Sequence, residues 1–158
     1  MNDIIREFKR DNYSISTDKS KLQITLIHHF LSNESYWARN IPLKIVERSF
    51  ENSLTFGVYN NLGKQVGFAR VITDFAVFAT LGDVFILKET RGLGLSKWLV
   101  DTIISLPELR SIRRWTLYTN DAHKLYEKSG FRLLERPDLS MEINKPDIYK
   151  NYKETTKP

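Results

Sequence analysis

Two glycines, Gly92 and Gly94, follow an apolar run that ends at Leu87 and precede a helical pattern carrying Leu95, Trp98, Leu99, Thr102 and Ile103 on one face. A turn of this composition lets the backbone approach a ligand closely. The first N–H groups of the helix then point at it, and the helix dipole favours an anion such as a phosphate. Arg91 adds a charge that can pair with a phosphate. The same glycines can equally just end a strand. The segment lacks the Gly-x-x-x-x-Gly-Lys-Ser/Thr of a P-loop and the Gly-x-Gly-x-x-Gly of a dinucleotide fold. Further on, Tyr126 shares an apolar stripe with Ala122 and Leu125, which by itself reads as a packed core aromatic. His28 and His29 lie on a helix with hydrophobic spacing and read as packing residues, whereas His123 faces away from its stripe and reads as solvated.

The elements that must carry these residues follow from periodicity. Tyr13 to Ser16 reads as a first strand, Asp18 as the N-cap of a helix through Leu22, Leu26 and Phe30, and Pro42 as the start of a second helix. Leu54 to Tyr59, Gln65 to Ile72 and a run from Phe78 or Thr80 to Leu87 read as an antiparallel meander, with a turn at Asn60-Asn61-Leu62-Gly63. After the glycine turn and its helix, Arg114 to Tyr118 reads as a strand. A further helix, capped at Asn120 or Asp121, ends at Gly130. Phe131 to Glu135 and Met141 to Ile143 read as the last strands. The order predicts a mixed α/β (α+β) fold with helices on both faces of a sheet. Residues 1 to 12 and 144 to 158 are expected to fray, which leaves a core of about 13–143 within a single domain spanning 1–158.

Composition removes several classes of function. The 158 residues are 41% hydrophobic and 27% charged, the balance of one globular domain. No cysteine is present, so a thiolate nucleophile, a thiolate metal site and a disulfide framework are all excluded. No metal site is expected. The longest apolar runs are far shorter than the roughly 20 residues of a membrane span. The start Met1-Asn2-Asp3-Ile4-Ile5-Arg6 lacks a secretory pattern, so a cytoplasmic protein without a membrane partner is expected. Lysine and arginine number 24 against 19 acidic residues, for a net charge of +5. The densest basic cluster, Arg110 to Arg114, is short and interrupted, and no nucleic-acid partner is expected.

The segment Arg91-Gly92-Leu93-Gly94-Leu95-Ser96 resembles the pyrophosphate loop of the Gcn5-related N-acetyltransferases, Gln/Arg-x-x-Gly-x-Gly/Ala, with Ser96 as the one departure. Asn120-Asp121-Ala122-His123-Lys124-Leu125-Tyr126-Glu127-Lys128-Ser129-Gly130-Phe131 resembles that family's second signature, a helix ending in Leu-Tyr-Glu-Lys-x-Gly-Phe. The two occur in the right order and on the right elements, so the resemblance covers about residues 13 to 143. It implies a central, mostly antiparallel sheet with helices on both faces, and acetyl transfer from acetyl-CoA to a primary amine by direct attack in a ternary complex.

By that resemblance, the backbone of Arg91, Gly92, Leu93, Gly94, Leu95 and Ser96, with Lys97 close behind, holds the coenzyme A pyrophosphate. Phe85 and Leu87, at the end of the preceding strand, pair with the pantetheine arm, and Asn120 contacts it. Tyr126 becomes the proton donor to the departing thiolate. Asp83 falls where many members place an acidic residue facing the acceptor and is the candidate base, although its type and place also suit a strand-edge carboxylate. Gly82 stands where some polyamine-directed members carry glutamate.

The acceptor side is expected from Ser35-Tyr36-Trp37-Ala38-Arg39-Asn40, a loop that concentrates aromatics and a cation, with Tyr36 and Trp37 as substrate contacts. Asp74 and Phe75, at a strand turn, could close the other side. The substrate is expected to be a small-molecule or peptide amine, its identity and the acyl length are not legible, and a homodimer is left open. The alternative from another class is a non-catalytic acyl-CoA-binding or sensing module.

Overall fold

In the structure, a computed structural model describing residues 4–152, six strands lie side by side in the order of the sequence. They are β1 (Glu7–Arg10), β2 (Tyr13–Ser16), β3 (Leu54–Asn60), β4 (Gln65–Thr73), β5 (Phe78–Ile86) and β6 (Arg114–Thr116). Neighbours are antiparallel except β5 and β6, which are parallel because α3 (Leu95–Ile104) carries the chain back across the sheet between them. The expected mixed architecture is the one observed.

Each face of the sheet has its own core. Phe56, Val58, Val71 and Leu81 pack with Leu95, Leu99 and Ile103 of α3 and with Tyr126 of α4 (His123–Glu127). On the other face Phe68 and Phe85 pack with Ile27 of α1 (Ile24–His29) and with Val46 and Phe50 of α2 (Leu43–Glu51). The amphipathic spacing read from the sequence is thus satisfied by helices on both sides.

Four expectations need correction. Residues 7–10 were expected outside the fold, but they form β1, because Phe8 opposite Ile15 adds an apolar residue to the α3 core. Asp18 does cap, accepting from the Ser20 N–H at 2.9 Å, yet what it caps is a single 3-10 turn, Lys19–Lys21, and the α-helix starts at Ile24. Neither Phe131 to Glu135 nor Met141 to Ile143 is a strand: each has the side-chain pattern, but neither lies against another strand. The core consequently reaches from about residue 7 to Phe131 rather than from 13 to 143. Fraying of residues 1–3 and 153–158 falls outside the described residues. No described helix is long and apolar enough to cross a membrane.

Candidate active site

A break in the sheet makes the site. β5 and β6 pair through Phe78–Arg114, Ala79–Trp115 and Thr80–Thr116, with the two threonine hydroxyls 2.8 Å apart. Beyond that point no backbone hydrogen bond joins β5 to residues 117–120 among the described residues. The outer edge of β5 from Leu81 to Ile86 therefore faces a wedge, and its polar groups there can accept an extended ligand as a missing strand.

A β-bulge sets what faces the wedge. Phe68 opposes Phe85 and Arg70 opposes Gly82, so Asp83 and Val84 together stand across from Ala69. The extra residue reverses the alternation. Ala79 and Leu81 face the α3 core, but after the bulge it is Ile86 that does so, while Phe85 turns to the α1 and α2 side. Asp83 takes a φ of 53°, a strained conformation for a residue other than glycine. Its carboxylate lands beside Arg70, whose Nε donates to Oδ2 at 2.5 Å, and the Trp37 indole N–H donates to Oδ1 at 2.9 Å. Two donors leave lone pairs on a carboxylate that can still accept from a substrate.

The aromatic loop reaches Asp83 by an unusual local route. α1 runs on into a π-helical turn, Phe30–Glu34, closed by the Ser35 N–H donating to the Phe30 carbonyl at 2.9 Å. The buried Ser35 hydroxyl then donates to the Leu31 carbonyl at 2.6 Å and accepts from the Ala38 N–H at 3.1 Å, which fixes Tyr36 and Trp37 between. The Tyr36 ring meets Trp37 edge-on at 4.9 Å, and its hydroxyl accepts from the Asn120 N–H at 2.8 Å. Tyr36 thereby bridges the wedge, from Asp83's partner Trp37 to the strand side that leads into α4. His28 holds this arrangement from behind, with Nε2 donating to the Ile41 carbonyl at 2.9 Å, while His29 and His123 are exposed.

Tyr126 lies on the α4 side of the wedge. Its ring is buried against the α3 core and meets Phe131 edge-on at 6.0 Å. Burial pushes its hydroxyl up to about 12, and the nearby Tyr36 hydroxyl and Asp121 carboxylate add to that shift. The group therefore keeps its proton across the neutral range. Tyr59, buried with its hydroxyl unpartnered, is raised by burial too. Both shifts stabilise the fold below pH 10, where an unfolded tyrosine is also neutral, and lose that contribution as pH rises through the folded values. Urea melts are expected to be flat for these groups up to about pH 9.5 and then to lose on the order of 3 kcal/mol from Tyr126 by about pH 12. Phenylalanine at 126 should remove that part of the alkaline loss.

At the mouth of the wedge Gly92 and Gly94 have φ of 82° and 71°, and Gly94 caps α3. The first helical bond is from the Trp98 N–H to the Gly94 carbonyl, which leaves the N–H groups of Leu95, Ser96 and Lys97 at the helix end without intrahelical partners. Arg91 donates from Nε to the Ile86 carbonyl at 2.9 Å. Arg10, at the end of β1, donates to the Leu93 carbonyl at 2.8 Å and lies over the Trp98 ring at 4.8 Å. Lys97 is paired with Asp101, which also accepts from Ser129 and so ties α3 to α4.

Asp83, Tyr36, Trp37, Asn120 and Tyr126 are thus gathered around the wedge, with the residues from 91 to 97 at its mouth. Leu87 continues β5 through its N–H to the Val66 carbonyl at 2.8 Å, and the Phe85 ring stacks on Phe30 at 3.9 Å. Asp74 and Phe75 are placed elsewhere, at the β4–β5 turn beyond the paired end of β5. There the Asp74 carboxylate accepts from the N–H groups of Ala76, Val77 and Phe78, which hold it below the usual range, and Phe75 lines a separate cavity of about 350 Å³ with Thr17 and Ser53. Two residues escaped the sequence reading. Arg70 was signalled as a lone charge in an apolar strand, whereas Arg10 carried no signal, since its role depends on a fold that brings β1 to the start of α3.

The family model of the acetyltransferase (GNAT) domain matches residues 51–133, the stretch from the end of α2 to just past α4. A Gibberella zeae protein named "Putative acetyltransferase FG08082" is 31% identical over 143 residues, covering 78% of this chain and 81% of its own. Among solved structures, a "putative acetyltransferase belonging to the gnat family" from Xanthomonas campestris pv. campestris superposes with a TM-score of 0.86 at 46% identity, covering 90% of this chain and all of the other. A "putative acetyltransferase" from Deinococcus radiodurans R1 superposes with a TM-score of 0.69 at 17% identity, over 92% of this chain and 98% of the other, which speaks for the fold alone.

Proposed function

Because the chain belongs to the GNAT family of acetyltransferases, we propose that it moves an acetyl group from acetyl-CoA to a primary amine by direct attack within a ternary complex, in one domain. The observation that carries this reading is the wedge between β5 and β6, with a glycine-capped helix at its mouth, Asp83 linked across it to Asn120 through Trp37 and Tyr36, and Tyr126 on the far side near Tyr36. The helix-end N–H groups of Leu95, Ser96 and Lys97 and the backbone from Arg91 to Gly94 bind the pyrophosphate. The open edge of β5 between Leu81 and Ile86, with Asn120 opposite, holds the pantetheine arm, whereas the Leu87 N–H, spent on the Val66 carbonyl, and the Phe85 carbonyl, which lies against Gly67, face β4 and do not pair with it.

Asp83 is the acceptor-side carboxylate. A free lone pair on it accepts from the incoming ammonium, and Trp37 and Tyr36 offer ring faces suited to a cation. The amine must lose a proton before it can attack, and Asp83 takes it or passes it to water. As nitrogen bonds to the acetyl carbon the bond from carbon to sulfur breaks, the Tyr126 hydroxyl supplies the proton that the departing sulfur takes, and the second proton that the nitrogen sheds as the amide forms returns through water to the tyrosinate. With no cysteine in the chain, the direct route needs no acyl-enzyme.

The test is release of free thiol from acetyl-CoA against a panel of primary amines. A chain without cysteine contributes no thiol background. Amine-dependent release is expected. Binding of acetyl-CoA with no release for any amine would favour the non-catalytic acyl-CoA-binding reading instead.

A further inference from the structure

We propose that, with the coenzyme held as in the proposed function, Arg10 is a positioning residue for it: from behind the glycine turn it fixes two peptide units so that their N–H groups face the pyrophosphate. Arg10 donates from one terminal nitrogen to the Leu93 carbonyl at 2.8 Å and from the other to the Gly94 carbonyl at 3.4 Å. In a trans peptide the carbonyl and the N–H of one unit point in opposite directions. Fixing those two carbonyls therefore fixes the N–H groups of Gly94 and Leu95 on the other side of the turn. Neither N–H has a hydrogen-bond partner among the described residues.

A turn of this kind needs holding. Residues 91–94 are exposed, and Gly92 and Gly94 put no Cβ in the way of peptide rotation. A Cβ built on Gly92 meets nothing within 4 Å, and one built on Gly94 meets only the two terminal nitrogens of Arg10. Arg91 ties the entrance of the turn to the Ile86 carbonyl, which leaves the stretch from Leu93 to Gly94 to Arg10. The planar guanidinium fork serves both carbonyls at once, and it is steadied over the Trp98 ring at 4.8 Å, one turn into α3.

The strand that carries Arg10 is anchored without help from the turn. Phe8 lies opposite Ile15 against the α3 core, Arg6 pairs with Glu108, and Glu7 pairs with Lys21. β1 also lies outside residues 51–133, the stretch that the family model matches, so this support comes from a part of the chain that the model does not cover. A cation on the carbonyl side polarises the peptide as well, which makes the opposite N–H groups better donors to an anion.

Calorimetric titration with coenzyme A at 25 °C, on proteins shown to be folded by circular dichroism, tests this with Arg10→Met and Arg10→Lys. Methionine keeps an unbranched stem beside Trp98 and removes every donor, whereas lysine keeps the charge and loses the fork. If the competent turn falls to about a tenth of the population, the apparent Kd rises about tenfold. That rise is expected for methionine, and lysine should stay within about threefold of methionine. Saturating coenzyme A should move the Gly94 and Leu95 amide protons downfield in the wild type and less so in the methionine variant, a signature that a loss of stability alone does not give. Wild-type affinity in the methionine variant overturns the proposal, and so does wild-type affinity in the lysine variant, because charge alone would then suffice. A wild type that does not bind coenzyme A, or that binds it equally well as Gly94→Trp, overturns the proposed function and the role of Arg10 with it.

Discussion

Tyr126→Phe is expected to lower kcat by about 10²-fold or more, within the range by which a positioned general acid accelerates proton transfer, while leaving the KM for acetyl-CoA within about twofold. The substitution removes one oxygen and keeps the ring. Contacts that hold the ring, such as the edge-on meeting with Phe131 at 6.0 Å and burial against the α3 core, are retained, so the fold should be undisturbed. What is lost is a proton donor that burial keeps protonated up to about 12, near a bridging tyrosine that touches both sides of the wedge. In the proposed mechanism the hydroxyl acts on the leaving sulfur, so its contribution exists in the transition state and hardly at all in the bound ground state. kcat and kcat/KM should therefore fall together. Steady-state thiol release with a responsive amine, beside a thermal melt of each protein, measures this. Equal kcat in a folded variant would take Tyr126 out of the chemistry.

The parts of this site that were legible in the sequence are those whose signal is local. Gly92 and Gly94 announce positive φ because residues with a Cβ resist it, and both adopt it. The α3 stripe from Leu95 to Ile103 is written in a 3.6-residue period and is buried as that period requires. Asp83 was legible as a carboxylate on a strand, but not as the bulged residue of that strand. A bulge is set by pairing with β4, and the partner strand is invisible in the local pattern. The partners of Asp83 were hidden for the same reason, since Trp37 and Arg70 lie 46 and 13 residues away in sequence.

The misread segments follow the same logic from the other side. Leu139, Met141 and Ile143 have the alternation of a strand, yet a strand exists only where a ladder partner is present, and among the described residues none lies beside them. Glu7 to Arg10 has a weak pattern and is nevertheless a strand, because β2 stands beside it with Ser16, Ile15, Ser14 and Tyr13 in register. Pairing decided both cases. Arg10 shows how far such effects carry: just before β2 it reads as a surface charge, but the hairpin brings it against the carbonyls of Leu93 and Gly94.

Gly94→Trp is expected to abolish stabilisation by acetyl-CoA and by coenzyme A while leaving a folded protein. With ligand at 100 times its dissociation constant the wild type should gain about 2.7 kcal/mol, seen as a higher Tm. Gly94 sits at φ 71° as the cap of α3, and a Cβ built there would come no closer than 3.9 Å to its nearest neighbour outside the turn, an Arg10 guanidinium nitrogen. A side chain at this position consequently costs backbone strain, about 1 kcal/mol for an L residue in the left-handed region, without a collision in the core. An indole there would stand over the N–H groups of Leu95 and Ser96, the proposed pyrophosphate site. Gly94→Ala separates the two effects, because it carries the strain and little of the bulk. The alanine variant should melt somewhat lower than wild type when free yet still respond to acetyl-CoA, whereas the tryptophan variant should melt lower and not respond. A tryptophan variant that responds as fully as wild type would move the pyrophosphate away from the start of α3, and Arg91 and Gly92 would lose their part in holding it.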